Sequence, residues 1–233
     1  MVESMSQRAY DYMRQKLSSG ELKPGMRLVT RRVAREVGGS LVPVREALSR
    51  LASEGLIEHV PGGGAYIRRM SREELLHLYE MREAVEPFAA GLAAARIGES
   101  QLGVLQTICD EWLVVVRAMR DEKRPHATAS EIDLWLERDR LYHDVIISAT
   151  GNPFLIKVIA DLRLMERVYN PVRRSGDFLT LRVAALSWRA HAALLRALKK
   201  RDAPLAQRLM AEQIQSGKRN VLAFLDRQPL SRR

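Results

Sequence analysis

Residues 30–68 leave this chain few folding options: two short apolar-periodic stretches flank Gly38-Gly39-Ser40, and a run of three glycines, Gly62 to Gly64, follows between two β-rich segments. Consecutive glycines lose so much backbone entropy on ordering that a helix entering them stops. Thr30 is expected to cap the first stretch, Arg31 to Val37, and Ser40 the second, which runs to about Glu54. Pro43 falls in its first turn, where a missing N–H costs little, and Val44, Ala47, Leu48 and Leu51 share one face. Gly55 closes that helix. Leu56 to Val60 and Ala65 to Arg68 then read as two short strands around the glycine turn. Upstream, Met5, Ala9, Tyr12, Met13 and Leu17 keep helical spacing before Gly20 and Pro24-Gly25 end the element. Helix, helix, turn, helix and hairpin is the order of a winged helix-turn-helix, in which the last helix enters the major groove of DNA.

Beyond Met70 turn clusters become sparse and the periodicity is helical throughout. Ser71 opens a long helix to about Ile97, with Pro87 inside it as a possible kink. Further helices are expected over Glu99 to Arg120, Glu131 to Ala149, Pro153 to Val172, Phe178 to Lys200 and Pro204 to Asp226. Breaks are expected at Gly98, Lys123 to Ala129, Gly151-Asn152, Arg173 to Asp177 and Arg201 to Ala203. The expected fold is therefore mainly α: a winged helix-turn-helix over residues 1–70 and an all-α antiparallel bundle over 71–233.

Charge agrees with a polyanionic partner. The formal net charge is +10, and residues 1–70 carry 12 Lys and Arg against 7 Asp and Glu, so the basic density is concentrated at the N-terminal end. Cations that neutralise phosphates release condensed counterions. Apolar runs such as Leu113 to Val116 fall far below the roughly 18 residues that span a bilayer, and Glu3 and Asp11 around Arg8 do not resemble a signal peptide. The expectation is a soluble, cytoplasmic protein. Its single cysteine, Cys109, sits in an apolar stretch and reads as a buried, inert thiol.

The segment Val33 to Tyr66, above all Pro43-Val44-Arg45-Glu46-Ala47-Leu48 with Leu51 and Glu54-Gly55-Leu56 in register, resembles the DNA-binding domain of the GntR superfamily. Leu78 to Glu86, Asp139-x-x-x-His143, Gly151-Asn152-Pro153 and His191 with Ala197-Leu198 and Asp202 resemble its FadR-like subgroup with an FCD effector domain. The resemblance implies a homodimeric transcription regulator, commonly a repressor, that binds a palindromic operator and is switched by a small metabolite, often a carboxylate. It places Arg31 and Arg45 at the DNA. Arg35, Ser40, Leu41, Val42, Gly62 and Gly63 complete the expected DNA-facing set. Where many relatives have arginine then threonine after the capping serine, this chain has Leu41-Val42, which can touch a thymine methyl but cannot donate to guanine.

Asp139 and His143 are four residues apart, so one helical face presents a carboxylate and an imidazole together. The resemblance makes these two and His191 ligands of a divalent metal, zinc or nickel. The fourth family position, usually histidine, is Gln213, a weaker neutral donor. Arg82 is expected either to hold an effector carboxylate or to bridge Glu86 one turn on. Asn152 is expected to cap the helix beginning at Pro153, and His59, His77 and His126 to be structural or exposed. Two other classes stay open on sequence alone: a sequence-indifferent architectural DNA-binding protein, and a metal-dependent enzyme that activates water at the Asp/His/His cluster.

Overall fold

The computed structural model describes residues 4–170, 172 and 179–227 and separates into two compact units. The first comprises the chain up to Leu75 together with Arg163–Tyr169. It contains α1 (Met5–Ser18), β1 (Arg27–Leu28), α2 (Thr30–Val37), α3 (Leu41–Ser53), β2 (Ile57–Val60) and β3 (Gly64–Ile67). The strands form an antiparallel sheet in the order β1-β3-β2, with Arg27 opposite Tyr66 and Val60 opposite Gly64. β1 is an addition to the expected hairpin, and two residues are too few to leave an alternation in the sequence.

Local chemistry sets the helix ends. Ser4 caps α1 through its hydroxyl, which accepts from the Gln7 amide at 3.1 Å. Thr30 does not cap α2 as expected: it is the first helical residue, and Val29 holds the cap position with extended backbone and no side-chain bond. The left-handed Gly38, at φ +68°, ends α2. Ser40 stands at the cap of α3, but its side chain makes no capping bond there. The inner face of α3, Val44, Ala47, Leu48 and Leu51, packs with Ala9, Tyr10, Met13 and Leu17 of α1 and with Leu56, Ile57 and Ile67 of the wing. Burying the Val, Leu, Ile and Met side chains among them contributes roughly 1.5–3 kcal/mol each. The core also takes in Leu164, Val168 and Tyr169, the far end of the seventh helix.

The second unit holds Leu76–Leu162 and the chain from Asn170 onward. Helix α4 (Arg72–Arg96) begins in the first unit, where Ser71 and Glu74 satisfy each other's backbone amides at 3.1 and 2.8 Å, a capping box. There follow α5 (Glu99–Asp121), α6 (Ala129–Ser148), α7 (Pro153–Tyr169), α8 (Leu181–Lys199) and α9 (Ala203–Arg227). α7 ends three residues before the expected Val172, while the break at Arg173 to Asp177 and the expected start at Phe178 lie outside the described residues. α5 packs on α6 and α8, and α8 on α9. Trp112, Trp135 and Tyr142 form an aromatic centre, with Trp112 stacked on Trp135 at 5.1 Å between rings. Asn152 caps α7 as expected, its Oδ1 accepting from the amides of Phe154 and Leu155 at 3.1 and 3.2 Å. Cys109 is buried, and burial pushes its thiol up to about 12.

Candidate nucleic-acid interface and metal centre

The arginines of the first unit divide into two groups. Arg32 donates from Nε to Glu36 at 2.9 Å, a carboxylate that also accepts from the Tyr12 hydroxyl at 2.7 Å. Arg14 and Arg50 gather around Glu54 and the Tyr10 ring, with the Arg50 guanidinium 3.6 Å from the ring centre. These pairs tie α1 to α2 and α3. Arg27, Arg31, Arg35 and Arg45 are exposed and have no carboxylate partner among the described residues. Cations left without internal counter-charges are available to phosphates and base edges.

On α3 the outward residues at its N-terminal end are Val42, 62% exposed, with Arg45 and Glu46. Leu41, also in the expected DNA-facing set, is partly buried and packs against the core, where an apolar side chain gains from leaving water. Ser40 is exposed, and since its hydroxyl makes no capping bond, the first amides of α3 present the positive end of a helix. At the wing tip Gly62 and Gly64 hold left-handed backbone, φ +70° and +100°, and Gly62 is exposed while Gly63 is half-buried. A Cβ at Gly64 would come within 3.5 Å of the Arg27 guanidinium. Arg27 therefore joins the basic residues at the wing, and sequence reasoning missed it along with its strand.

In the helical unit, α6 and α8 bring Asp139, His143 and His191 together, with one ligand atom from each within 4.8 Å of the others. His143 Nε2 lies 3.8 Å and His191 Nε2 3.6 Å from Asp139 Oδ1, and the two Nε2 atoms are 3.4 Å apart. A divalent ion about 2.1 Å from each donor in tetrahedral geometry separates the donors by about 3.4 Å. The triangle fits that face. Its orientation is fixed from behind: His191 Nδ1 sits 2.7 Å from the Ser187 carbonyl, which can only accept, so the proton is on Nδ1 and the Nε2 lone pair faces the triangle. The Tyr142 hydroxyl donates to the His191 carbonyl at 2.8 Å, and the Trp112 ring lies 4.7 Å from the imidazole. Both histidines are buried.

Gln213, on α9, has both amide atoms buried and without a hydrogen-bond partner among the described residues. A buried unsatisfied amide is unfavourable. Arg82 is buried, and its Nε donates to Glu86 Oε1 at 2.6 Å, as the salt-bridge expectation had it. His59, His77 and His126 are exposed, as expected.

A winged helix-turn-helix with exposed arginines that lack a carboxylate partner, joined in one chain to an all-helical unit that carries an Asp/His/His triangle, is the layout of a DNA-binding regulator. Residues 5–67 match the family described as bacterial regulatory proteins, gntR family, and residues 77–216 match the FCD domain. The chain is 30% identical to the HTH-type transcriptional repressor GlaR of Escherichia coli (strain K12), covering 88% of this chain and 90% of that one. It is 25% identical to the HTH-type transcriptional repressor RspR of the same organism over 92% of this chain and 87% of that one. Among solved structures, E. coli McbR/YncC superposes with a TM-score of 0.77 at 23% identity, covering 96% of this chain and all of that one. A GntR regulator from Rhodococcus sp. RHA1 gives 0.70 at 18%, covering 95% and 99%. The chain belongs to the GntR family, in the group that carries an FCD domain. Its relatives are DNA-binding regulators of transcription rather than enzymes, and no helix among the described residues is long and apolar enough to cross a membrane.

Proposed function

We propose that this protein is a metabolite-responsive repressor that binds a palindromic operator as a homodimer in the cytoplasm, and that its helical unit holds a divalent metal, zinc or nickel, on Asp139, His143 and His191. The carrying observation is the donor triangle of 3.4, 3.6 and 3.8 Å together with the Ser187 carbonyl that turns the His191 lone pair inward. An accidental cluster of polar side chains needs no such second partner. A metal there supplies a positive charge with open coordination positions, to which a small carboxylate effector is suited. Gln213 supplies a neutral amide, and Arg82 a buried cation that can exchange its bond to Glu86 for an effector carboxylate.

Dimerisation is supported by exposed apolar side chains on two helices of the second unit, Met81 and Phe88 on α4 and Phe154 and Val158 on α7. A two-fold dimer matches the symmetry of a palindromic operator. At the DNA, Arg45 reads a guanine edge, Val42 a thymine methyl, Arg31, Arg35 and the α3 N-terminus hold phosphates, and Gly62 and Gly63 let the wing approach the backbone. An architectural protein would bind operator and random duplex alike at fixed salt, which separates that reading from this one.

The test is elemental mass spectrometry on untagged protein purified without chelators or metal columns, beside His143→Ala. Near-stoichiometric zinc or nickel in the wild type and its loss in the variant are expected. Absence of metal from the wild type after incubation with either ion would refute the metal reading and leave Arg82 and Gln213 as the effector's polar partners.

A further inference from the structure

The junction between the recognition helix and the wing is two residues long. α3 ends at the Glu54 cap, Gly55 turns the chain with φ +72°, and β2 starts at Ile57. The Gly55 amide bonds back to the Ala52 carbonyl at 3.0 Å and the Leu56 amide to the Leu51 carbonyl at 3.0 Å, which closes the helix. The Gly55 and Leu56 carbonyls point elsewhere. Leu56 accepts from the Arg68 amide at 3.1 Å, at the end of the wing's second strand. Both carbonyls also lie 3.2 Å from the hydroxyl of Tyr169, a residue 113 positions away from Leu56 and 7% exposed.

Tyr169 is not alone there. Leu164 and Val168, five residues and one residue before it on α7, belong to the same core as Leu51, Leu56, Ile57 and Ile67, and the Met165 methyl stands 4.0 Å from where a side chain on Gly55 would begin. Burial pushes the Tyr169 hydroxyl up to about 12, so it keeps its proton and remains a donor at every working pH. The hydroxyl's single proton is thus shared between the two carbonyls of the helix-to-wing junction.

We infer that Tyr169 is a positioning residue for DNA binding: it holds the recognition helix and the wing at the relative angle needed to engage adjacent grooves of one duplex. A helix N-terminus in the major groove and a glycine wing at the neighbouring backbone must be spaced together, and their only covalent link is Gly55-Leu56. That link has a glycine at its centre, the least restrained residue available, so the restraint has to come from outside it. α7 supplies it from within the same compact unit. The opposite end of this helix places Ile159 in a separate core with Ala89 and Ile147 of the helical unit.

Tyr169→Phe tests this, because it removes the donor and retains the ring. Operator duplex is first obtained by selection from a random pool with wild-type protein. Wild type and variant are then compared on it at a temperature well below the melting point of either, with equal folded fractions verified by circular dichroism. The variant is expected to bind about fivefold more weakly, the factor of one net hydrogen bond. The loss is expected to show in hydroxyl-radical protection of the sugars facing the wing, while methylation interference at the major-groove guanines stays as in wild type. Unchanged affinity with an unchanged wing footprint would overturn the inference. So would a loss spread evenly over both grooves, which is what a merely less stable protein gives.

Discussion

Cutting the chain after Leu75 removes Arg163–Tyr169 from the first unit, and the structure allows the cost to be worked out. Leu164, Val168 and Tyr169 are 3%, 1% and 7% exposed in that core. Full burial of such side chains contributes roughly 1.5–3 kcal/mol each, and discounting for a compact unfolded state and for burial within α7 itself leaves about 3–6 kcal/mol for the three. A small domain holds a total of about 5–15 kcal/mol, so the loss is a large fraction. The assay compares residues 1–75 alone with the same fragment carrying residues 160–172 on a flexible glycine-serine tether, both unfolded in urea and followed by circular dichroism. The tethered form is expected to be more stable by about 3–6 kcal/mol. Stabilities within about 1 kcal/mol of each other would show that α7 only rests on a unit already complete, and the argument would fail.

Arg45→Ala is expected to cost about 1–3 kcal/mol on the selected operator and to relax the preference at one base pair, whereas Arg31→Ala weakens all sequences alike and lowers the salt slope by about one. Competition binding at several salt concentrations distinguishes them; equal losses on operator and random DNA for Arg45→Ala would remove it from base readout. Glu131 closes the capping box of α6 and lies 2.9 Å from Arg124, whose guanidinium holds the carboxyl down to about 2. Its folded value is depressed, so the stabilisation is present above the unfolded range near pH 4.3 and is lost as pH falls toward 2. Thermal melts between pH 2 and 6 should show a shallower acid slope for Glu131→Gln than for wild type, and identical slopes would contradict the assignment.

What could be read from sequence follows from how local each feature is. Gly38-Gly39 and Gly55 mark the ends of α2 and α3 because backbone entropy is a property of the residue itself, and the two came out within a position or so. Asp139 and His143 were legible from i,i+4 spacing, but spacing says nothing of His191, which reached the triangle only through the family resemblance. Leu41-Val42 is a departure from what relatives carry there, but the sequence does not tell that Leu41 is partly buried against the core while Val42 is 62% exposed. The hardest feature was α7. Ile159 and Val168, nine residues apart, lie on opposite faces of the helix, but Leu162, Leu164 and Met165 are apolar in between, so no break marks where the helix leaves one core and enters another.

That divided helix also bears on how the protein is made. Domains usually fold from the N-terminus as they are synthesised, at about 5–20 residues per second. Here the N-terminal unit is complete only when Tyr169 has been added, roughly ninety residues after Leu75, an interval of about 5–20 s at that rate. During that interval the nascent reader lacks part of its core and the clamp at Gly55-Leu56. A chain released early, before α7 exists, would carry the exposed arginines Arg27, Arg31, Arg35 and Arg45 and still lack part of the core beneath them, so a ribosome that stalls within the helical unit does not leave behind a finished first unit.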